Sequence, residues 1–332
     1  MAALCCFLAV ATTLWAADPS EVREVVVVAR DGVGLAGDLY LPSGPGPFPV
    51  ILGRTPYNKV LGVGFGREGA RRGYAVVMQD TRGRFASKGE NLPFHSDVTD
   101  GADTLLWIGR QDWSNGRVGT WGGSAGAITQ FQLMAAGQGG VESQHLVVGA
   151  PNLYEVVYTG GVFRKSLIED WIRASRFQQD AVARWVAHPV PDDYWRERDA
   201  SRHYGTVQAA AVHIGGYWDI FAQATIDGFN GYQHQGGKGA RGRQKLVLGP
   251  WTHGVLQEKA GELTWATSVV FNRGHRIRVQ IASSSSPGYD PNPNTGEPLR
   301  KGAGIRMARN RVHVGAGQAS HVLLPVVKGT LR

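Results

Sequence analysis

Cysteine is almost missing from this chain of 332 residues: there are two, Cys5 and Cys6, and both lie among the first seventeen. A chain trimmed of that segment has no disulfide and no thiolate metal site available to it. Long hydrophobic runs are missing too. The run from Leu4 to Val10, continuing to Trp15, falls short of the ~20 residues that a membrane-spanning helix needs. No H-E-x-x-H or comparable cluster of His, Asp and Glu occurs, so neither a metal nor another cofactor is expected. A recognised nucleic-acid module is also absent. The 35 Lys and Arg against 27 Asp and Glu give a net charge of +8, but the basic residues are scattered rather than gathered into a stripe. A nucleic-acid partner is therefore not expected.

The first seventeen residues carry no charged side chain, hold a short apolar run, and end in Ala16-Ala17 before polar Asp18-Pro19-Ser20. That is the pattern of a cleavable secretory signal peptide, cut near Ala17. The expectation is a secreted or periplasmic protein.

Beyond the leader, β-branched and fully apolar runs alternate with stretches of helical spacing. Residues 24–29 and 35–41 read as a hairpin around Asp31-Gly32. Residues 49–53, 74–79, 117–121 and 145–149 read as buried parallel strands. Between them, residues 68–73 end a small helix, 97–108 form a helix with an acidic first turn, and 127–136 form another. The alternation stops at Pro151 and resumes with a strand at 210–215, a helix at 220–232 and a strand at 246–248. The intervening residues, rich in Trp, Arg, Phe and Tyr at helical spacing, read as a helical insertion covering the edge of the sheet. The whole predicts a mostly parallel sheet with helices on both faces.

One stretch organises this pattern. Gly122-Gly123-Ser124-Ala125-Gly126 is a G-x-S-x-G sequence between a strand-like and a helix-like run. In a nucleophile elbow the serine sits on a strained strand-to-helix turn, and small residues two before and two after let the backbones nearly touch. With 46 glycines in the chain, chance supplies such a match roughly 0.3 times, so context must decide. The context is present. Ser124, Asp219 and His253 each follow the carboxyl end of a strand, where open α/β sheets bind ligands. They come in the order nucleophile, acid, histidine that this fold uses. A serine hydroxyl needs a histidine to take its proton, and the histidine needs a carboxylate to fix its tautomer. Other residues fit less well. His213 lies inside a strand and is expected to face the core, His95 precedes the elbow, and Asp80 is expected to form a structural ion pair with Arg82 or Arg84. Trp121, Trp218 and Trp251 lie close in sequence to the triad and suit an apolar acyl pocket.

Further pieces carry a resemblance: Arg54-Thr55-Pro56-Tyr57-Asn58-Lys59, Gln79-Asp80-Thr81-Arg82-Gly83-Arg84-Phe85-Ala86-Ser87, His188-Pro189 with Asp193-Tyr194-Trp195, Gly215-Gly216-Tyr217-Trp218-Asp219, Gly249-Pro250-Trp251-Thr252-His253 and Gly274-His275-Arg276-Ile277-Arg278-Val279. Together with the elbow they resemble the cocaine esterase/Xaa-Pro dipeptidyl-peptidase (CocE/NonD) hydrolases. The resemblance implies an α/β-hydrolase domain over 18–150 and 208–254, a helical cap over 151–207 and a partial jelly-roll-like β segment over 255–332. It implies Ser124 as nucleophile, His253 as base and Asp219 as its orienting acid. It also implies that the Tyr57 hydroxyl and the Ala125 amide receive the oxyanion. No HGGG-type loop is present, so a side-chain donor standing in for the usual second amide makes chemical sense. The implied activity is hydrolysis of a small ester, amide or peptide through an acyl-enzyme. A homologue without useful turnover and a pure binding module are the competing readings. The β segment differs from the family's jelly roll in being short, with the 277/279/281 and 322/324/326 faces lacking their usual partners.

Overall fold

The computed structural model describes residues 21–249, 251–253, 288–290 and 306. The expected signal peptide and all but a few residues of the expected β segment lie outside the described residues. An eight-stranded sheet forms the centre. Its strands are β1 (Glu21–Val28), β2 (Gly34–Leu41), β3 (Phe48–Thr55), β4 (Ala75–Asp80), β5 (Ser114–Gly123), β6 (Val141–Val147), β7 (Ala210–Gly216) and β8 (Gln244–Gly249). They lie side by side in the order β1-β2-β4-β3-β5-β6-β7-β8. The β1–β2 hairpin and the β2–β4 pairing are antiparallel, and every other pairing is parallel. This is the α/β-hydrolase sheet, with its order reversing at β3/β4.

The strands follow from their sequences. β4 reads Ala-Val-Val-Met-Gln-Asp and every residue of it is buried, as a strand covered on both faces requires. On β5, alternation sends Thr120 to one face, where Gln130 takes its hydroxyl hydrogen, and Trp121 to the other, where it stacks on Phe65. Phe65 belongs to α1 (Val63–Arg71), which covers that second face. The first face carries α2 (Asp97–Ile108), α3 (Ala125–Ala135) and, after the insertion, α8 (Ala222–Gln235). α3 contains no charged residue, and all of it from Ala125 to Met134 is buried. The main core unites Leu39, Leu52, Val77, Ile108, Val118, Phe131 and Leu133 around it.

Residues 151–207 hold α4 (Leu153–Val157), a two-residue hairpin (Tyr158–Thr159 with Val162–Phe163), α5 (Lys165–Ala174), α6 (Ala181–Val186), α7 (Asp193–Arg196) and a 3₁₀ segment (Ala200–Thr206). The hairpin is an addition to the all-helical expectation. Rather than covering the edge of the sheet, α4, α5 and α6 stand over the carboxyl ends of β5 and β6 and enclose a cavity there. Interlocked aromatics fill this cap: Tyr158 sits 6.1 Å from Trp195, which lies 6.0 Å from Trp185, and all three are fully buried.

Asp80 corrects an expectation. Its carboxylate accepts the backbone N–H groups of Lys59 at 2.7 Å and Ala86 at 3.3 Å, so it organises two loops and pairs with neither neighbouring arginine. Arg82 reaches Asp31 and Asp100 instead. Arg84 turns toward the cap, where it donates to the Ser175 and Arg176 carbonyls.

His213, on β7, is 0% exposed and packs beside Phe131, Phe229 and Tyr232. Burial pushes its imidazole down from 6.5 to about 4. In that interval the unfolded chain binds a proton that the folded chain refuses, so stability falls as pH drops from 6.5 toward 4. The loss amounts to about 3 kcal/mol at 1.36 kcal/mol per pH unit. Thermal melts across pH 4–7 should therefore show a decline that His213→Gln flattens. An unchanged slope in the variant would assign the decline to other groups.

Candidate active site

The turn from β5 into α3 leaves Ser124 at φ 55 and ψ −123, a conformation that a non-glycine residue holds only under constraint. The constraint is close backbone approach. A Cβ on Gly122 would stand 2.7 Å from the Gly126 carbonyl oxygen, nearer than real Cβ atoms come. The Ser124 N–H donates to the Val147 carbonyl of β6 at 2.9 Å, fixing the turn against the next strand. Ala125 opens α3, so its own N–H is among those without an intrahelical acceptor.

Asp219 follows β7 and His253 follows β8. Two backbone hydrogen bonds tie these loops together: Tyr217 N–H to the Gly249 carbonyl at 2.9 Å and Trp218 N–H to the Trp251 carbonyl at 3.0 Å. The second requires glycine at 216, where a Cβ would lie 2.1 Å from the Trp251 oxygen. The loops bring Asp219 Oδ2 to 2.7 Å from His253 Nδ1, and His253 Nε2 to 2.9 Å from Ser124 Oγ. Asp219 Oδ1 accepts the Phe221 N–H at 2.5 Å, so both carboxylate oxygens are engaged and the side chain is 0% exposed. The Phe221 ring meets the imidazole edge-on at 5.2 Å. Since a carboxylate accepts and does not donate, Nδ1 carries the proton, and Nε2 is left to accept from the serine hydroxyl. The three residues expected from their order thus form one continuous hydrogen-bonded chain.

Ser124 and His253 open into a cavity of about 470 Å³. Its walls are apolar: Ile128 from α3, Val147 and Val148 from the end of β6, Val156 from α4, Leu167, Ile168 and Trp171 from α5, and Trp185 from α6. Phe94, Ile220 and Phe221 complete them. Tyr57 lines the same cavity from the loop after β3. That loop is pinned by Tyr57 N–H to Thr55 Oγ1 at 3.0 Å and by the Lys59 amide on Asp80. The Tyr57 hydroxyl lies 2.9 Å from the indole nitrogen of Trp171.

The three tryptophans expected to form the pocket do not line it. Trp121 faces α1 on the far side of the sheet, Trp218 is 68% exposed, and the Trp251 ring folds back over Gly249. Proximity in sequence misled because alternation along β5 and turns after β7 and β8 send these side chains away. The cavity takes its aromatics from the cap, from the loop before α2, and from Tyr57 and Phe221 in the loops after β3 and β7. The signal for the cap's share was the helical spacing of Leu167, Ile168 and Trp171, three and four residues apart on one face.

The sequence profile of the X-Pro dipeptidyl-peptidase (S15) family matches residues 31–183 and 172–255 of this chain. The chain belongs to that family. The profile of its C-terminal non-catalytic domain matches residues 263–323. The chain is 30% identical over 290 residues to the cocaine esterase of Rhodococcus sp. strain MB1 Bresler, covering 71% of this chain and 50% of the esterase. Its fold is similar to that of an aminopeptidase from a marine sediment archaeon (Thaumarchaeota archaeon), with TM-score 0.58 and 21% identity over 73% of this chain and 51% of the other. A CocE/NonD family hydrolase from Staphylococcus aureus aligns with TM-score 0.57 and 20% identity over 69% and 49%. The S15 chain thus spans about half the length of the cocaine esterase it matches.

A serine paired in this way should react with a fluorophosphonate probe. Labelling followed by peptide mass spectrometry is expected to place the adduct on Ser124, and Ser124→Ala should abolish it. An adduct persisting in the folded variant would take Ser124 out of the chemistry.

Proposed function

We propose that this protein is a serine hydrolase that cleaves esters of uncharged, apolar carboxylic acids through an acyl-enzyme. The observation that carries this reading is the Asp219–His253–Ser124 chain ending in an apolar cavity. As Ser124 Oγ attacks the ester carbonyl carbon, His253 Nε2 takes the hydroxyl proton, and Asp219 holds the imidazole in the tautomer that allows it. The carbonyl oxygen becomes an oxyanion, which receives hydrogen bonds from the Tyr57 hydroxyl and the Ala125 N–H. The tetrahedral adduct collapses, the C–O bond to the alcohol breaks, and His253 returns its proton to the leaving oxygen. Water then attacks the acyl-Ser124 carbonyl by the same route in reverse. Neither metal nor cofactor has a step in this sequence. Removal of the leader and export complete the reading, on the strength of the first twenty residues alone.

The acyl half of the substrate would fill the cavity. Among the described residues, only Tyr57, Ser124 and His253 bring polar side chains there, apart from the indole N–H groups of Trp171 and Trp185. A dipeptidyl-peptidase needs a group that captures a protonated N-terminus, and a buried ammonium without a partner costs several kcal/mol. Among the described residues that line the cavity there is no carboxylate. This favours an ester of an aromatic or branched acid over a peptide with a free amine. The hydrogen-bonded triad likewise disfavours a homologue without turnover.

A direct comparison tests the choice. Rates on p-nitrophenyl benzoate and on a Gly-Pro p-nitroanilide should differ by at least about 100-fold in kcat/KM in favour of the ester, as expected if about 3 kcal/mol of amine burial goes uncompensated. Preference for the dipeptide anilide would overturn the apolar-acyl reading and restore the peptidase.

A further inference from the structure

The Tyr57–Trp171 contact joins the loop after β3 to the cap, and its direction is fixed by chemistry. An indole N–H only donates, so Trp171 Nε1 donates to the Tyr57 oxygen at 2.9 Å. That occupies an acceptor position on the phenol oxygen and leaves the O–H pointing elsewhere. Among the described residues, no acceptor takes that hydrogen, and the hydroxyl belongs to a side chain lining the cavity that Ser124 enters.

The indole is held in place. It lies parallel to Phe94 at 5.6 Å and to Trp185 at 6.4 Å, and tilted on Phe177 at 4.9 Å. Phe94 itself has φ 57, a strained backbone for an aromatic residue. Both partners are also tied to one buried cation. Arg84 donates to the Pro56 carbonyl at 2.8 Å, one residue before Tyr57. It also donates to the Ser175 and Arg176 carbonyls at the end of the helix that carries Trp171. Its guanidinium lies 4.4 Å from the Phe177 ring centre.

We infer that Trp171 is a positioning residue for catalysis. By donating to the phenol oxygen it turns the Tyr57 O–H toward the point where the ester oxygen becomes an oxyanion. This rests on the reading of Tyr57 as an oxyanion donor. Trp171 also forms part of the apolar wall, and a wall residue alone would act on substrate binding rather than on turnover.

A double-mutant cycle separates the two roles. kcat and KM for a p-nitrophenyl ester are measured for wild type, Tyr57→Phe, Trp171→Phe and the double variant. Fluorophosphonate titration carried to its endpoint counts folded sites, so kcat is expressed per competent enzyme. Tyr57→Phe should lower kcat roughly 10²–10³-fold, the usual cost of one oxyanion donor. Trp171→Phe, which keeps an aromatic ring but removes the N–H, should lower kcat roughly tenfold with KM within about twofold, as expected for one orienting hydrogen bond. The double variant should be no slower than Tyr57→Phe, because the indole then has no hydroxyl to orient. If Trp171→Phe slows Tyr57→Phe by the same factor as wild type, or changes KM alone, the indole is only a wall and the inference fails. If instead Tyr57→Phe turns over near the wild-type rate, the oxyanion assignment fails first and this inference with it.

Discussion

Between Gly122 and Gly126 the backbone of a strand and the backbone of a helix run almost in contact, and the site is built around that closeness. The Gly122 position leaves no room for a Cβ against the Gly126 carbonyl, so the chain passes from strand to helix within one residue, and that residue is Ser124. Holding a serine at φ 55 costs roughly 1–3 kcal/mol, which the surroundings must offset. They do so with a charge-free, buried helix and with polar side chains that staple it down. The Gln130 amide donates to the carbonyls of Gly122, Gly126 and His145, and the Thr129 hydroxyl reaches Arg54 O. These groups are buried hydrogen-bond partners, which makes the elbow a fixed feature of the core rather than a mobile loop.

The Asp219–His253 pair depends on a second closeness. The loop after β7 donates the Tyr217 and Trp218 N–H groups to the Gly249 and Trp251 carbonyls, so Asp219 and His253 are set relative to each other before either side chain contributes. The carboxylate is then sealed by the Phe221 amide on its free oxygen. Parallel pairing of β7 with β8, from Ala211 opposite Gln244 to Gly216 opposite Gly249, brings the two loops out at the same level. The cap adds enclosure. Its aromatic interior packs on itself and presents a single apolar face to the strand ends.

Much of this arrangement was legible from the residues. Apolar runs and their order gave the sheet, since buried parallel strands need little more than β-branched and aliphatic residues. Strand limits were less clear where glycine or polar residues stand inside a strand: β6 begins at Val141 rather than 145, and β5 at Ser114 rather than 117, because their early residues pair at the edge of the core. The hydrogen-bonded grouping of Ser124, His253 and Asp219 was readable because each residue follows a strand end. What could not be read was direction. Trp121 and Trp171 are equally plausible pocket residues in a string of letters, and only the pleat of β5 and the placement of α5 decide between them. Arg84 shows the same limit: its charge suggested Asp80 nearby, whereas its fork is matched to carbonyls contributed from more than ninety residues away.

The chamber over Ser124 is shaped mainly by side chains that make no hydrogen bond to the triad. Val156, Leu167, Ile168 and Trp185 come from the insertion, while Ser124, Asp219 and His253 are held on loops at the strand ends. Over evolutionary time these two parts can change independently. Trading one methylene at Leu167 or Ile168 alters the volume offered to a substrate, and each such change shifts preference by about 1–3 kcal/mol. The strands beneath need not move. A lineage built this way can diversify by drift in its lining alone, which suits a chain that matches a family profile named for a dipeptidyl-peptidase and is similar to a protein named an esterase. Trp171 is the exception: hydrogen-bonded to Tyr57 as well as lining the chamber, it is the wall position least free to vary.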